Sequence, residues 1–326
     1  MSSGPPVLSG AGAERLRDGP WRVVVTGAGG WLGLATLELL ADLFGERFGD
    51  RVVCFGSRAR ALSLRDGLEI AQAPLGDLAD LPPLPTLVLH LAFITQGAGM
   101  TLDAEAYVAA NRALAAQVLS ALDRIGAEAV FLASSGAAHL ADRGGGPQSK
   151  GLYGWIKRQD ESAFADWAER RGARASIGRI FNLSGPYINR RATYALASFI
   201  ADALAGRSVR VGAGAPVWRS YVAISTLMSV VAAALTEGSA GVATFETAGE
   251  RAVEVGELAG IVADLLGAPG VERLAFDPES PGDRYLGDGR AFSALMSTHG
   301  VAPIDLAIQI HQTAAFMAEY PDDPPR

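Results

Sequence analysis

Hydrophobic positions in the first half of the chain alternate between two periods. Trp21–Thr26 carries a β-branched run, Val23 to Val25, and stops at a cluster of glycines, which predicts a strand. Over Trp31–Phe44 the apolar residues Leu32, Ala35, Leu39, Leu40 and Leu43 recur at helical spacing. Arg51–Phe55 and Leu68–Ala73 read as short strands, and Thr86–Phe93 (TLVLHLAF) as a strand covered on both faces, because it is nearly all apolar. Ala104–Ile125 is predicted as a long helix, Ala129–Ser134 as a strand, Leu152–Arg171 as a helix and Ala175–Phe181 as a strand. This strand–helix repetition predicts an α/β fold with a parallel sheet and helices on both faces. No repeat of solenoid length is present.

After about residue 185 the rhythm breaks. Strands become short (Val209–Val211, Val217–Val222, Val242–Glu246), with helices predicted at Thr193–Ala205, Ile224–Thr236, Val255–Leu266 and Ile304–Ala318. Residues 1–20, rich in Gly, Ser, Pro and Ala, read as a flexible tail without the apolar stretch of a signal peptide. The expected organisation is a cofactor domain over 21–182 plus roughly 218–248, and a smaller α/β substrate-binding cap over 183–217 plus 249–326. Composition narrows the field. The 326 residues have 49% hydrophobic and 19% charged positions, a globular profile. The formal charge of −7 argues against a nucleic-acid partner. No apolar run reaches the ~20 residues of a membrane span, so a cytoplasmic protein is expected. Cys54 is the sole cysteine, which excludes an intramolecular disulfide and a cysteine zinc site, and no metal is expected.

Chemistry concentrates in two places. Thr26-Gly27-Ala28-Gly29-Gly30-Trp31-Leu32-Gly33 joins the first strand to the first helix. Gly27 permits the tight turn, Gly30 a close approach to a pyrophosphate, and Gly33 the packing of helix on strand. The helix N-terminus offers its free N–H groups to phosphates. The second strand ends in Phe55-Gly56-Ser57-Arg58, without the carboxylate that bonds an NAD ribose; Ser57 and Arg58 suit a 2′-phosphate, which favours NADP(H) and leaves NAD(H) open.

The second place is Tyr153-Gly154-Trp155-Ile156-Lys157, with Tyr and Lys on one helix face. Seven tyrosines and only two lysines, Lys150 and Lys157, make about 0.04 such pairs expected by chance. Ser134, Ser135 and Gly136 follow the strand before it. A free phenol is a poor base at neutral pH, and a neighbouring ammonium favours its ionised form. Tyr153 is therefore expected to exchange a proton with a substrate oxygen that Ser135 holds, with Lys157 in support.

Together these segments resemble the extended short-chain dehydrogenases/reductases of the nucleotide-sugar epimerase/dehydratase family, from about Trp21 to Phe316. The resemblance implies a Rossmann-type doubly wound parallel sheet and the catalytic set Ser135, Tyr153 and Lys157. It places the cofactor against Gly27, Gly29, Gly30, Trp31, Leu32 and Gly33. It adds Asp77-Leu78 at the adenine, Leu91-Ala92-Phe93 beside the cofactor, and Asn111. Arg179–Pro186 is similar to the segment whose Asn, here Asn182, touches a substrate diphosphate; Arg219 and Arg284 are implied to grip the same group, with Ser134 and Gly136 near the sugar. Family dehydratases carry Asp-Glu after the catalytic Ser or Thr. Here the segment is Gly136-Ala137-Ala138-His139, and the glycine-rich loop Asp142–Ser149 follows. The expected activity is hydride transfer at the C4 of a nucleotide-diphosphate sugar, by a 4-ketoreductase or 4-epimerase and not a dehydratase. The alternatives are reduction of a non-sugar ketone or aldehyde, or a non-catalytic NADP sensor. The resemblance also implies a homodimer through the helices around 104–125 and 152–171.

Overall fold

The computed structural model describes residues 4–95, 102–141 and 151–321. The predicted glycine-rich loop Asp142–Ser149 lies outside them. Eight strands form the central sheet, in the order Gly241–Glu246, Arg174–Ile180, Ala127–Ser135, Thr86–His90, Arg22–Thr26, Val52–Gly56, Glu69–Pro74 and Arg60–Ser63. All neighbours are parallel except the last two, which pair antiparallel. The order of the strands reverses at Arg22–Thr26, the switch point where open α/β sheets bind ligands.

The near-continuous apolar strands follow from burial on both faces. Val23 and Val25 join a core with the helices Trp31–Phe44 and Ile224–Thr236. Val24, between them, joins the opposite core with Val118 and Phe164 of the helices Ala104–Leu122 and Leu152–Arg171. Alternate side chains thus feed different layers, and both layers are predominantly apolar.

Residues 10–18 depart from the expected tail: Gly10–Asp18 is a helix with Gly12, Ala13 and Leu16 buried. Its small residues are a packing device. A Cβ on Gly12 would lie 2.3 Å from the backbone nitrogen of Ala233, so glycine is what lets this helix touch Ile224–Thr236. The segment expected as one strand over Val217–Val222 is two. Val217–Arg219 pairs with Val253–Glu254 and Asp283–Arg284, and Tyr221–Ala223 pairs with Asn182–Ser184. The apolar strand read as Thr86–Phe93 leaves the sheet after His90, so Leu91 and Phe93 line the cleft at its edge. Arg60–Ser63 and the helix Arg290–His299 were not anticipated; each buries one hydrophobic side chain, too weak a pattern to read. Among the described residues no helix is long and apolar enough to cross a membrane, and no group of three His, Cys, Asp or Glu could hold a metal.

Candidate active site

A cleft opens at the C-terminal ends of the strands, with about 1590 Å³ of empty space counting its mouth. The enclosed part of the cavity, about 500 Å³, lies within the ~300–1,000 Å³ usual for a ligand site. One wall is the glycine turn with Leu91 and Phe93, the floor carries Ser135, Tyr153 and Lys157, and the far wall carries Asn182, Arg190 and Arg219.

The glycine turn has the shape that a dinucleotide requires. Gly27 has φ +73°, and a Cβ there would meet the Ala92 nitrogen at 2.6 Å. A Cβ on Gly33 would lie 2.3 Å from the Gly27 carbonyl oxygen, so helix and turn press together only through glycine. At Gly30 the protein supplies just one neighbour, the Gly27 oxygen at 3.3 Å. The space above Gly30 faces the cleft and is left for a ligand. Trp31 donates its indole N–H to the Pro186 carbonyl at 2.9 Å and so ties this wall to the segment that follows Asn182–Ser184.

Ser135 ends its strand, and Tyr153 lies one residue into its helix. They meet because Gly154 lies against the Ala137 carbonyl, where a Cβ would be 2.0 Å from the oxygen. Burial pushes the Tyr153 phenol up to about 12, against the opposing influence of the neighbouring Ser135 hydroxyl. Lys157 is 4% exposed, and burial brings it down to about 8 although Asp160 and Glu161 raise it. Its ammonium donates to the Ala133 carbonyl at 2.8 Å and lies 3.9 Å from the Phe93 ring centre. Phe93 in turn meets Tyr153 edge to face, at 5.3 Å. Burial, then the Lys157 charge, lower His90 to about 3, so it is neutral beside Thr26, 2.7 Å away.

Not every predicted residue reaches the cleft with its side chain. The Ser134 hydroxyl donates to Glu161 at 2.6 Å and serves the framework. A Cβ on Gly136 would clash with the Phe181 ring at 2.4 Å, so Gly136 is a packing glycine. The Asn111 side chain is spent on the chain after Phe93: it accepts from Ile94 N at 2.9 Å and donates to the Ile94 and Tyr107 carbonyls. Leu78 is fully buried in the core beneath this end of the sheet, while Asp77 is exposed. Ser57 and Arg58 are exposed at the end of the second strand. Asn182 donates to the Ser220 and Tyr285 carbonyls. Arg219 lines the cleft and pairs with Asp283 at 2.6 Å. Arg284 is in register with Trp218 and stacks on its ring at 5.2 Å. It therefore lies on the face of this small sheet opposite Arg219, away from the cleft, because neighbours in a strand alternate sides.

Two residues had no place in the sequence reading. Tyr285 puts its hydroxyl 3.2 Å from the Ser135 hydroxyl, with Phe181 beside its ring at 4.7 Å. The same alternation that turns Arg284 away turns Tyr285 inward. Arg190, at φ +52°, donates to the Thr95 hydroxyl at 2.5 Å across the cleft mouth.

The family model of the "NAD dependent epimerase/dehydratase family" matches residues 23–248. No curated protein matches the chain. Among solved structures it is similar to MoeE5 in complex with UDP-glucose and NAD, at 22% identity and TM-score 0.69, over 92% of this chain and 100% of that one. It is also similar to the UDP-N-acetylglucosamine 4-epimerase of Methanobrevibacter ruminantium M1, at 20% identity and TM-score 0.70, over 92% and 99%. A third is the dTDP-glucose 4,6-dehydratase DesIV of Streptomyces venezuelae with NAD bound, at 20% identity and TM-score 0.69, over 92% and 97%. At such identities the likeness is one of fold.

Proposed function

The chain belongs to the NAD dependent epimerase/dehydratase family, and from that premise we propose that it transfers hydride at C4 of a nucleotide-diphosphate sugar, as a 4-ketoreductase or a 4-epimerase. The observation that carries this reading is the meeting of Ser135, Tyr153 and Lys157 on the floor of a cleft whose opposite wall presents Asn182 and Arg219. Ser135 orients the substrate oxygen and Tyr153 moves the proton at that oxygen. Lys157 supplies positive charge beneath the phenol. The bound nicotinamide would supply or accept the hydride. The turn Gly27–Gly33 would hold its pyrophosphate. Arg219 suits a diphosphate through its planar fork, and Asn182 adds an amide donor. NADP(H) is favoured over NAD(H), because no carboxylate ends the second strand.

Dehydration is disfavoured. The segment after Ser135 offers no acid, and the carboxylates behind it are engaged: Glu161 by Arg179 at 2.8 Å, Glu246 by His139 at 2.6 Å. A second reading, reduction of a non-sugar ketone, draws on one observation: the Arg219–Asp283 pair satisfies the guanidinium without any phosphate.

Hydride transfer measured against UDP-, dTDP-, GDP- and CDP-sugars tests the proposal. Tyr153→Phe is expected to lower kcat by about 10²–10⁴ without changing Tm, and Arg219→Ala to raise KM at least about tenfold. Unchanged turnover in Tyr153→Phe refutes the catalytic assignment, and an unchanged KM in Arg219→Ala favours the non-sugar reading. Stoichiometric NAD released on denaturation assigns the epimerase; its absence together with turnover of added NADPH assigns the reductase. The same family reading includes a homodimer through the helices Ala104–Leu122 and Leu152–Arg171. Light scattering at twice 33.9 kDa checks it.

A further inference from the structure

Phe93 stands just beyond the strand Thr86–His90 and lines the cleft. Its place is fixed by the chain that follows. Asn111 accepts from the Ile94 N–H at 2.9 Å and donates to the Ile94 carbonyl at 3.2 Å. Asn111 is 1% exposed and also donates to the Tyr107 carbonyl of its own helix at 3.1 Å, so the clamp is itself held. Tyr107 meets the Phe93 ring edge to face at 6.3 Å.

One ring thereby touches two side chains of the proposed catalytic set. The Lys157 ammonium lies over its face, 3.9 Å from the centre, and the Tyr153 ring meets it edge to face at 5.3 Å. Tyr153 and Lys157 are neighbours on the helix Leu152–Arg171, and Phe93 bridges them from a different element. Burial works against the charge of Lys157, which has the Ala133 carbonyl of the adjoining strand as acceptor. The carboxylates that favour the charge, Asp160 and Glu161, belong to its own helix. Glu161 also serves Ser134, Arg179 and Arg158; Asp160 is pushed up to about 6 by burial, with Arg112 opposing. His90, from the strand before Phe93, is neutral and brings no charge. The negative face of an aromatic ring supplies what this slot needs, attraction for a cation without a second ion to bury, and that attraction grows as the pair is desolvated.

We propose that Phe93 is a positioning residue for the floor of the cleft: its face keeps Lys157 an ammonium in a dry slot, and its contact with the Tyr153 ring keeps the phenol beside that charge. Asn111, through Ile94, sets where the ring stands. The inference deepens the reading of Ser135, Tyr153 and Lys157 as the catalytic set and rests on it for its purpose. Its test uses neither substrate nor cofactor, so the two fail separately.

The chain has only two lysines, which lets the charge on Lys157 be read directly. The full chain is labelled with lysine carrying carbon-13 at Cε, and the Cε signals are followed by NMR as pH is raised; Lys150→Arg removes the other signal and assigns Lys157. Phe93→Leu keeps an apolar side chain but removes the aromatic face, and is expected to lower the Lys157 midpoint by about 0.5–1 pH unit. Pentafluorophenylalanine incorporated at position 93 keeps the shape of the ring and inverts the charge of its face. It is expected to lower the midpoint at least as far as leucine does, with monofluorophenylalanine between it and the native ring. Thermal melting verifies folding, and the fluorinated rings, being close isosteres, keep the comparison open if Phe93→Leu does not fold. A midpoint that stays within about 0.2 unit of the native value in the fluorinated chains, or rises, overturns the inference. So does a fall in Phe93→Leu that the fluorinated rings do not share, because it traces to altered packing and not to the aromatic face. Unchanged turnover in Tyr153→Phe overturns the catalytic reading instead, and leaves the hold of Phe93 on Lys157 as the titration finds it.

Discussion

Glu161→Gln tests how the floor of the cleft is held. Glu161 is 2% exposed. Its Oε1 accepts from the Ser134 hydroxyl at 2.6 Å and from Arg179 Nε at 2.9 Å; its Oε2 accepts from Arg179 Nη2 at 2.8 Å and from Arg158 Nη1 at 3.1 Å. One carboxylate thereby joins the strand that ends in Ser135, the strand Arg174–Ile180 and the helix that carries Tyr153 and Lys157. The network runs on, since Arg179 also reaches Glu246 at 3.5 Å, and Glu246 accepts from the backbone N–H of Asp288, near Tyr285. Glutamine keeps the shape but loses the charge, and its NH₂ must face donors. Breaking a buried ion pair costs about 3–5 kcal/mol, and the Ser134 hydroxyl adds about 1 kcal/mol. Arg179 retains Glu246, which offsets part of this, so a loss of about 3 kcal/mol is expected. At about 2 °C per kcal/mol, Tm falls by about 6 °C. Urea unfolding and calorimetry measure the loss. Because Ser135 adjoins Ser134, kcat is expected to drop about tenfold (~1.4 kcal/mol) while KM changes less. A stability loss under about 1 kcal/mol with kcat unchanged refutes the reasoning. Replacing the pair by Glu161→Leu with Arg179→Met provides the control. If the charge is there for positioning, the double variant regains stability but not turnover.

Lys157 makes activity and stability move in opposite directions. Burial holds its folded pKa at about 8, below the ordinary 10.5, so between those values the unfolded chain binds more protons and stability rises with pH. The destabilisation is fully present below pH 8, so the unfolding free energy is expected to climb between about pH 8 and 10.5, and Lys157→Met is expected to lose that climb and to be inactive; a climb that persists in the variant contradicts this. Turnover, where it needs the ammonium, declines as pH rises through about 8, which a kcat/KM profile reads. Gly12→Val forces the N-terminal helix off Ala233 and is expected to cost about 2 kcal/mol, measured by chemical unfolding. An unchanged midpoint would show the helix to be dispensable.

What the sequence disclosed and what it withheld divide along a physical line. Strands buried on both faces advertise themselves, and so does a glycine spacing set by close approach: Gly27 against Ala92 and Gly33 against Gly27 are each forced by contacts within a few residues of the turn or at a paired strand. The Tyr153–Lys157 pair is legible because helical spacing alone puts the two side chains on one face. The direction of a side chain at a short strand is not legible in this way. Ser134 and Ser135 are adjacent and chemically equal. One bonds Glu161 and the other faces Tyr285, and which is which depends on a sheet register set by residues far along the chain. Arg284 and Tyr285 pose the same problem. Residues 10–18 fail for another reason. Their small side chains read as a floppy tail in isolation, and only the backbone of Ala233, more than 200 positions away, shows why they must be small.

The scarcity of lysine sharpens the case for the floor of the cleft. Of the 28 cations two are lysine, so the chain uses arginine almost wherever a positive charge is needed. At 157 arginine is a poor substitute. In this slot, 4% exposed, the ammonium meets the Ala133 carbonyl at 2.8 Å and the Phe93 ring at 3.9 Å, with Asp160 and Glu161 favouring its charge. An ammonium donates to that carbonyl and lies over the ring. A guanidinium brings five donors in a rigid plane and needs acceptors for them. Where acceptors are plentiful the chain does choose arginine: Arg179 meets both oxygens of Glu161, and Arg219 meets Asp283 and the Trp218 carbonyl. The exception at Lys157 therefore marks a place where a compact charge is held beside an aromatic wall, one helical turn from Tyr153. There burial brings the ammonium down to about 8, whereas an arginine stays protonated throughout.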